Sequence, residues 1–358
     1  MSGIKSSKNH IAISPGETIK EILKDRGISQ KELAFRTDYT EKHISRLLNG
    51  LVLLTPNVAT ALEYALNIKA TFWLNLEAKY RCSLEKVENE NLLEHEKQIL
   101  CKIPYNQMAE YGYVDIAKSA EDKIVNIRKF FGITNLKVLL NPDFLSLAFK
   151  NQVVAFRKSI RSESSNFTIL AWIQKVKVSA ASIEVDKFSK SSLKKNINSL
   201  VSLTNYSDSS LLIKLTSFFS SNGIAFVYLP HLNGSGLSGV SFEDNKKIVV
   251  AVSDLGKSID KFWFNIFHEV AHILLGHLTL ESLTFEQENE ANLLASSMLI
   301  DKDKFDNFVR KHCFTEKDIT EFSKKIGIHP GIVVGRLQHE KLIEFSSLNN
   351  LKDNLHPN

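Results

Sequence analysis

"FWFNIFHEVAHILLGH", Phe262 to His277, decides how the last third of this chain is read. Most of its side chains are aliphatic or aromatic, which describes an ordinary buried helix. Yet His268, Glu269 and His272 stand in the middle, where leucine would pack without a desolvation cost. On an α-helix four residues advance about 400°, which leaves His268 and His272 only about 40° apart. Both imidazoles can therefore grip one cation. Glu269 lies about 100° further round and reaches toward that cation's open side. The spacing lets two histidines bind Zn²⁺ while the glutamate accepts a proton from the attacking water. Ile266, Phe267, Ile273 and Leu274 flank the trio and exclude bulk solvent.

Two histidines are too few for a zinc hydrolase, which needs a third protein ligand and an open fourth position. The segment "FEQENEANLLASSML" downstream offers Glu286, Glu288 and Glu290. Alternate residues on a helix lie about 200° apart, so Glu288 and Glu290 face opposite sides and only one can serve. Glu288 shares its face with Asn292, which can orient a ligand histidine from behind, and with the small Ala295. Glu288 is the expected ligand and Glu290 the alternative. His277 lies about 140° off the His272 face and is expected to be a structural hydrogen-bonder.

The chain has 358 residues, 43% hydrophobic and 24% charged, with a formal charge of +5. That is enough for two or three domains with real cores. The three widely spaced cysteines, Cys82, Cys101 and Cys313, form no CxxC pair and point to reduced thiols in a cytoplasmic protein. No apolar run spans a membrane, and no leader-like h-region opens the sequence. Residues 1–14 read as a flexible arm, and short helices follow to about residue 80. Residues 81–222 form a helical connecting region, rich in Ser and Lys in its second half. "GIAFVYLP" (Gly223–Pro230) and "KKIVVAV" (Lys246–Val252) are expected strands. A domain over residues 223–345 and a flexible tail over 346–358 complete the order. The fold class is mainly α with a small α+β part.

Within the first 80 residues, "SQKELAFRTDYTEKHISRLLNG" runs from Ser29 to Gly50. Ser29 and Thr40 are placed to cap two short helices with Leu33, Ala34, Ile44, Leu47 and Leu48 inward. Two short helices round a tight turn make a helix-turn-helix, whose second helix enters the major groove. Glu41, Lys42, His43 and Arg46 are placed to reach double-stranded DNA from that helix, beside Thr40, and Gln30 can meet a phosphate. Residues 1–80 hold 11 Lys/Arg against 8 Asp/Glu, a balance of only +3, so charge adds little.

The segment from "SPGETIKEILKDRG" through "SRLLNG" to "FWLNLEAKY" resembles the XRE-type DNA-binding domain of HigA-like antitoxins. Asp38 stands in the turn where that family usually has glycine, and aspartate tolerates left-handed backbone. The resemblance implies an operator-binding homodimer. "GIAFVYLPHLNGSGLSGVSF", the HEVAH helix and "EQENEANLLASSMLI" resemble an ImmA/IrrE-type zinc metallopeptidase. That resemblance implies a zincin-like (gluzincin) domain in which His268, His272 and Glu288 hold Zn²⁺, Glu269 is the base and Asn292 supports the ligands. Together the two resemblances imply a DNA-binding regulator whose peptidase cuts a repressor, a toxin-antitoxin partner or itself. The alternative reading is a non-catalytic, antitoxin-like repressor whose zinc domain senses metal or docks a toxin.

Overall fold

Met1–Ile99 and Leu100–Asn358 form two units in a computed structural model that describes residues 3–148, 163–206, 210–280, 283–310 and 314–353. Cys313 lies outside the described residues, whereas Cys82 and Cys101 are free and exposed.

In the first unit, Ile4–Ser6 (β1) and Ile11–Ile13 (β2) pair antiparallel, with Ile4 opposite Ile13. Pro15–Asp25 (α1), Gln30–Thr37 (α2), Glu41–Leu48 (α3), Pro56–Leu66 (α4) and Ala70–Leu100 (α5) follow. The expected end of the first domain at residue 80 falls inside α5. The flexible arm expected over residues 1–14 is, across residues 4–13, a docked hairpin instead. A two-stranded ribbon is marginal alone, and α5 supplies what it lacks. Ala12 is buried with Tyr80, Leu84 and Val87 of α5. Glu90 accepts from Ser7 Oγ and Asn9 Nδ2, each at 2.5 Å, and Lys5 pairs with Glu88 at 3.3 Å.

Ile19, Leu33, Ile44, Leu47, Leu62 and Trp73 are buried at the centre of the helical bundle. Ser29 caps α2, Thr40 caps α3, and Asp38 between them takes the left-handed conformation at φ 56°. Gly16, next to the helix-starting Pro15, lies against the backbone of Leu47 and Leu48 at the end of α3. A Cβ there would overlap both carbonyl oxygens. Gly16→Ala is expected to destabilise the first unit by about 1–3 kcal/mol, the range for overpacking, read as a lower urea midpoint.

The second unit begins with Tyr105–Glu110 (α6), Ala120–Phe131 (α7), Pro142–Ala148 (α8), Glu163–Ala181 (α9), Lys190–Ser202 (α10) and Ser210–Ser221 (α11). A sheet follows, built from Ile224–Leu229 (β3), Gly239–Asp244 (β4) and Lys247–Ser253 (β5) in the order β3-β5-β4. β3 and β5 run parallel, and β4 pairs antiparallel to β5 with Ser241 opposite Val250. Sequence periodicity finds β3 and β5 but not β4, whose alternation rests on Val240 and Phe242 alone. Next come Ile259–Leu275 (α12), Phe285–Leu299 (α13), Lys302–Val309 (α14), Glu316–Ile326 (α15) and Pro330–His339 (α16).

Phe226, Val250 and Val252 of the sheet share a core with Phe262, Trp263, Ile266, Phe267 and Val270 of α12. That burial, of order 1.5–3 kcal/mol per large side chain, fixes which face of α12 is left for chemistry. The tail expected to be flexible from residue 346 is tied down as far as Asp353. Lys352 Nζ donates to Asp260 Oδ2 and Gln338 Oε1, both at 2.7 Å. The carbonyl of Asp353 accepts from Ile259 N, in the first turn of α12, at 3.1 Å.

Candidate functional site

α12 carries His268, Glu269 and His272 away from its core face. Its last turn ends at Gly276, which adopts φ 81°, a conformation that costs glycine little. α13 begins with a capping box on Thr284 and Gln287 and packs against α12 through Ala291 and Ala295. The small side chains let the two helices approach until Glu288 meets the histidines.

His268 Nε2 and His272 Nε2 are 2.9 Å apart. Glu288 Oε2 is 3.6 Å from the first, and Glu288 Oε1 is 4.0 Å from the second. Donors around a tetrahedral ion with bonds of about 2.0–2.2 Å lie roughly 3.3 Å from one another. The observed separations bracket that value, and the donor set of two imidazoles and one carboxylate suits zinc. Among the described residues these three form the one group of His, Cys, Asp and Glu atoms close enough to share an ion. Glu290 is elsewhere: its Oε2 lies 3.9 Å from His277 Nε2, and its side chain is 60% exposed.

Glu269 is buried beside the cluster, and its Oε2 accepts from Ser241 Oγ at 2.6 Å. Ser241 belongs to β4, as does Gly239, where a Cβ would stand 2.9 Å from Glu269 Oε1. β4 therefore both aims the carboxylate and leaves room for it. Neither role is legible in the sequence, because periodicity does not mark the strand that carries both residues. Asn292 is half-buried on α13, and the contact found at the rear of His272 comes from another residue. That residue is His277, whose Nδ1 lies 2.9 Å from His272 Nδ1. Burial holds His277 below the ordinary histidine range, against the pull of Glu290 and Glu288. A cavity of about 750 Å³, lined by Phe264, Leu299 and Ile332 among others, opens alongside the first half of α12.

In the first unit, Glu41, Lys42 and Arg46 are exposed on α3, and Thr40 Oγ1 is occupied capping His43 N at 3.1 Å. Gln30 Nε2 donates to the Glu41 carbonyl at 3.2 Å, which ties α2 to the start of α3. His43 differs from its expected pose. Its ring stacks on Tyr39 with centroids 4.6 Å apart, and its Nε2 is enclosed. That leaves Glu41, Lys42 and Arg46 as the outward side chains of α3.

Residues 19–73 match the helix-turn-helix family, and residues 221–338 match a peptidase family described as the IrrE N-terminal-like domain. The uncharacterized HTH-type transcriptional regulator YddM of Escherichia coli (strain K12) is 35% identical over 63 residues, 18% of this chain and 67% of that protein.

Proposed function

Because the chain belongs through its first unit to the HTH-type transcriptional regulators and carries an IrrE-like peptidase domain, we propose that it is a DNA-binding regulator with a working zinc endopeptidase. Its substrate in this reading is a regulatory protein: a repressor, a toxin-antitoxin partner or the chain itself. The observation that supports catalysis is Glu269, a buried carboxylate held by Ser241 next to His268, His272 and Glu288. A site that only senses or stores metal gains nothing from an acid that stands beside the donors.

In this reading His268, His272 and Glu288 hold the metal in a zincin-like (gluzincin) domain. Bound zinc supplies Lewis acidity and lowers the pKa of a water to about 7. Glu269 takes the proton as water adds to the scissile carbonyl carbon, and delivers it to the amide nitrogen as the C–N bond breaks. The Ser241 hydroxyl keeps Glu269 oriented throughout.

The HigA-like assignment, with domains over residues 1–80, 81–222 and 223–345, belongs to the same proposal. So does an operator-bound homodimer. Thr40 and Gln30 position the recognition helix, Glu41 and Arg46 face the bases, and Lys42 meets a phosphate. Arg46→Ala is expected to weaken binding to DNA that the protein selects from a random pool by about tenfold, and to relax one base position. Lys42→Ala should reduce the salt slope by about one, whatever the sequence. Fluorescence anisotropy across a salt series measures both.

The peptidase reading is tested by labelling protein N-termini in cells that make the wild type or Glu269→Gln. New N-termini within a regulatory protein, present with the wild type alone, support cleavage. Identical N-terminal sets with regulation intact overturn it in favour of a docking or sensing domain.

A further inference from the structure

We infer that His277 is a positioning residue for His272, and that it acts as a hydrogen-bond acceptor at the rear of that ring. The inference rests on the metal-centre reading given above. It concerns the side of His272 that faces away from the cation.

His272 points Nε2 at His268 and Glu288, so Nε2 is the nitrogen that offers its lone pair to a cation. A neutral imidazole with one nitrogen ligating carries its proton on the other. Nδ1–H of His272 is then a buried donor that needs an acceptor. His277 Nδ1 lies 2.9 Å away, and both rings are more than nine-tenths buried. For Nδ1 of His277 to accept, its own proton must be on Nε2. That nitrogen is the one 3.9 Å from the Glu290 carboxylate. An imidazolium at His277 would place two N–H groups head to head across that 2.9 Å contact, so the neutral ring is the form that fits it. With that proton on Nε2, Nδ1 of His277 is free to accept from Nδ1–H of His272. Metal-bound histidines that lose such an outer partner typically lose 10–100-fold in metal affinity.

Helical geometry alone would keep the two rings apart, since five residues along a helix is about 140° round. The helix stops at Leu275. Gly276 in left-handed geometry and a 3₁₀ turn over His277–Thr279 bring the ring back beneath His272. Glu290, which the sequence leaves open as a ligand, instead lies 3.9 Å from the far nitrogen of His277, outside the donor set.

The test uses the full chain stripped of metal and titrated with Zn²⁺ against a chromophoric chelator. His277→Leu is expected to bind zinc about 10–100-fold more weakly than the wild type. His277→Asn, whose Oδ1 replaces the accepting Nδ1, should restore most of that loss. Glu290→Gln should cost less than His277→Leu. Unchanged affinity in His277→Leu while His272→Ala fails to bind overturns the inference. So does equal weakness of His277→Asn and His277→Leu. If His272→Ala binds zinc as the wild type does, the metal-centre reading itself fails. Nitrogen-15 NMR of the zinc-loaded wild type needs no variant: His272 must carry its proton on Nδ1 and His277 on Nε2, and the reverse pattern overturns the role.

Discussion

Glu269→Gln leaves metal affinity and DNA binding near wild-type values and lowers peptide-bond hydrolysis by about 10²–10⁴-fold, the range for losing a positioned acid–base group. The exchange is close to isosteric, so the core of α12 should not notice it. The Ser241 hydroxyl can still bond the amide oxygen of glutamine. What is lost is the capacity to take a proton at one step and return it at the next. Single-turnover kinetics on the purified chain with its identified substrate give the rate, and zinc titration of the same sample gives the affinity. A variant that cleaves at the wild-type rate would remove Glu269 from the chemistry. Ser241→Ala is a milder perturbation of the same group, because it loosens the base without removing it.

The second large effect is on metal retention. Glu288→Ala should weaken zinc binding by more than the 10–100-fold that an outer partner costs, because it removes one of three donors to the ion. Stability provides an independent readout. A ligand that binds only the folded state adds RT ln(1 + [L]/Kd), about 2.7 kcal/mol at a hundredfold excess over Kd. Zinc should therefore raise the melting temperature of the wild type and leave Glu288→Ala nearly unmoved. An equal shift in both proteins would show that the ion sits elsewhere. Chelation followed by zinc, but not magnesium, should remove and then restore hydrolysis, since two imidazoles and a carboxylate suit the softer ion.

Much of this geometry is local, and local geometry is what a sequence carries best. Ser29 and Thr40 cap their helices, and Asp38 turns left-handed between them. The four-residue spacing of His268 and His272 is enough to put both rings on one face. Glu288 needed more, because two helices had to meet, yet its facing relative to Glu290 follows from helical pitch. The features that escaped depend on contacts far along the chain. β4 is a strand because β5 pairs with it, and its short Gly239–Asp244 run has little pattern of its own. The hairpin at residues 4–13 exists because α5 offers Glu88, Glu90 and an apolar seat more than 60 residues away. Helical pitch alone places His277 off the His272 face, and Gly276 is the residue in the sequence that signals the helix ends before it. The motif glycine Gly16 could be recognised from resemblance, but its physical reason, the carbonyls of Leu47 and Leu48, needed the packed bundle.

Asp353 and Lys352 seat the opening turn of the helix that bears His268 and His272. A ribosome therefore delivers the histidines some eighty residues before it delivers the clasp that finishes their scaffold. The nascent chain has its helix-turn-helix bundle before the segment that completes the candidate metal site has been made. The order of synthesis therefore sets the scaffold of His268 and His272 after the helix-turn-helix bundle.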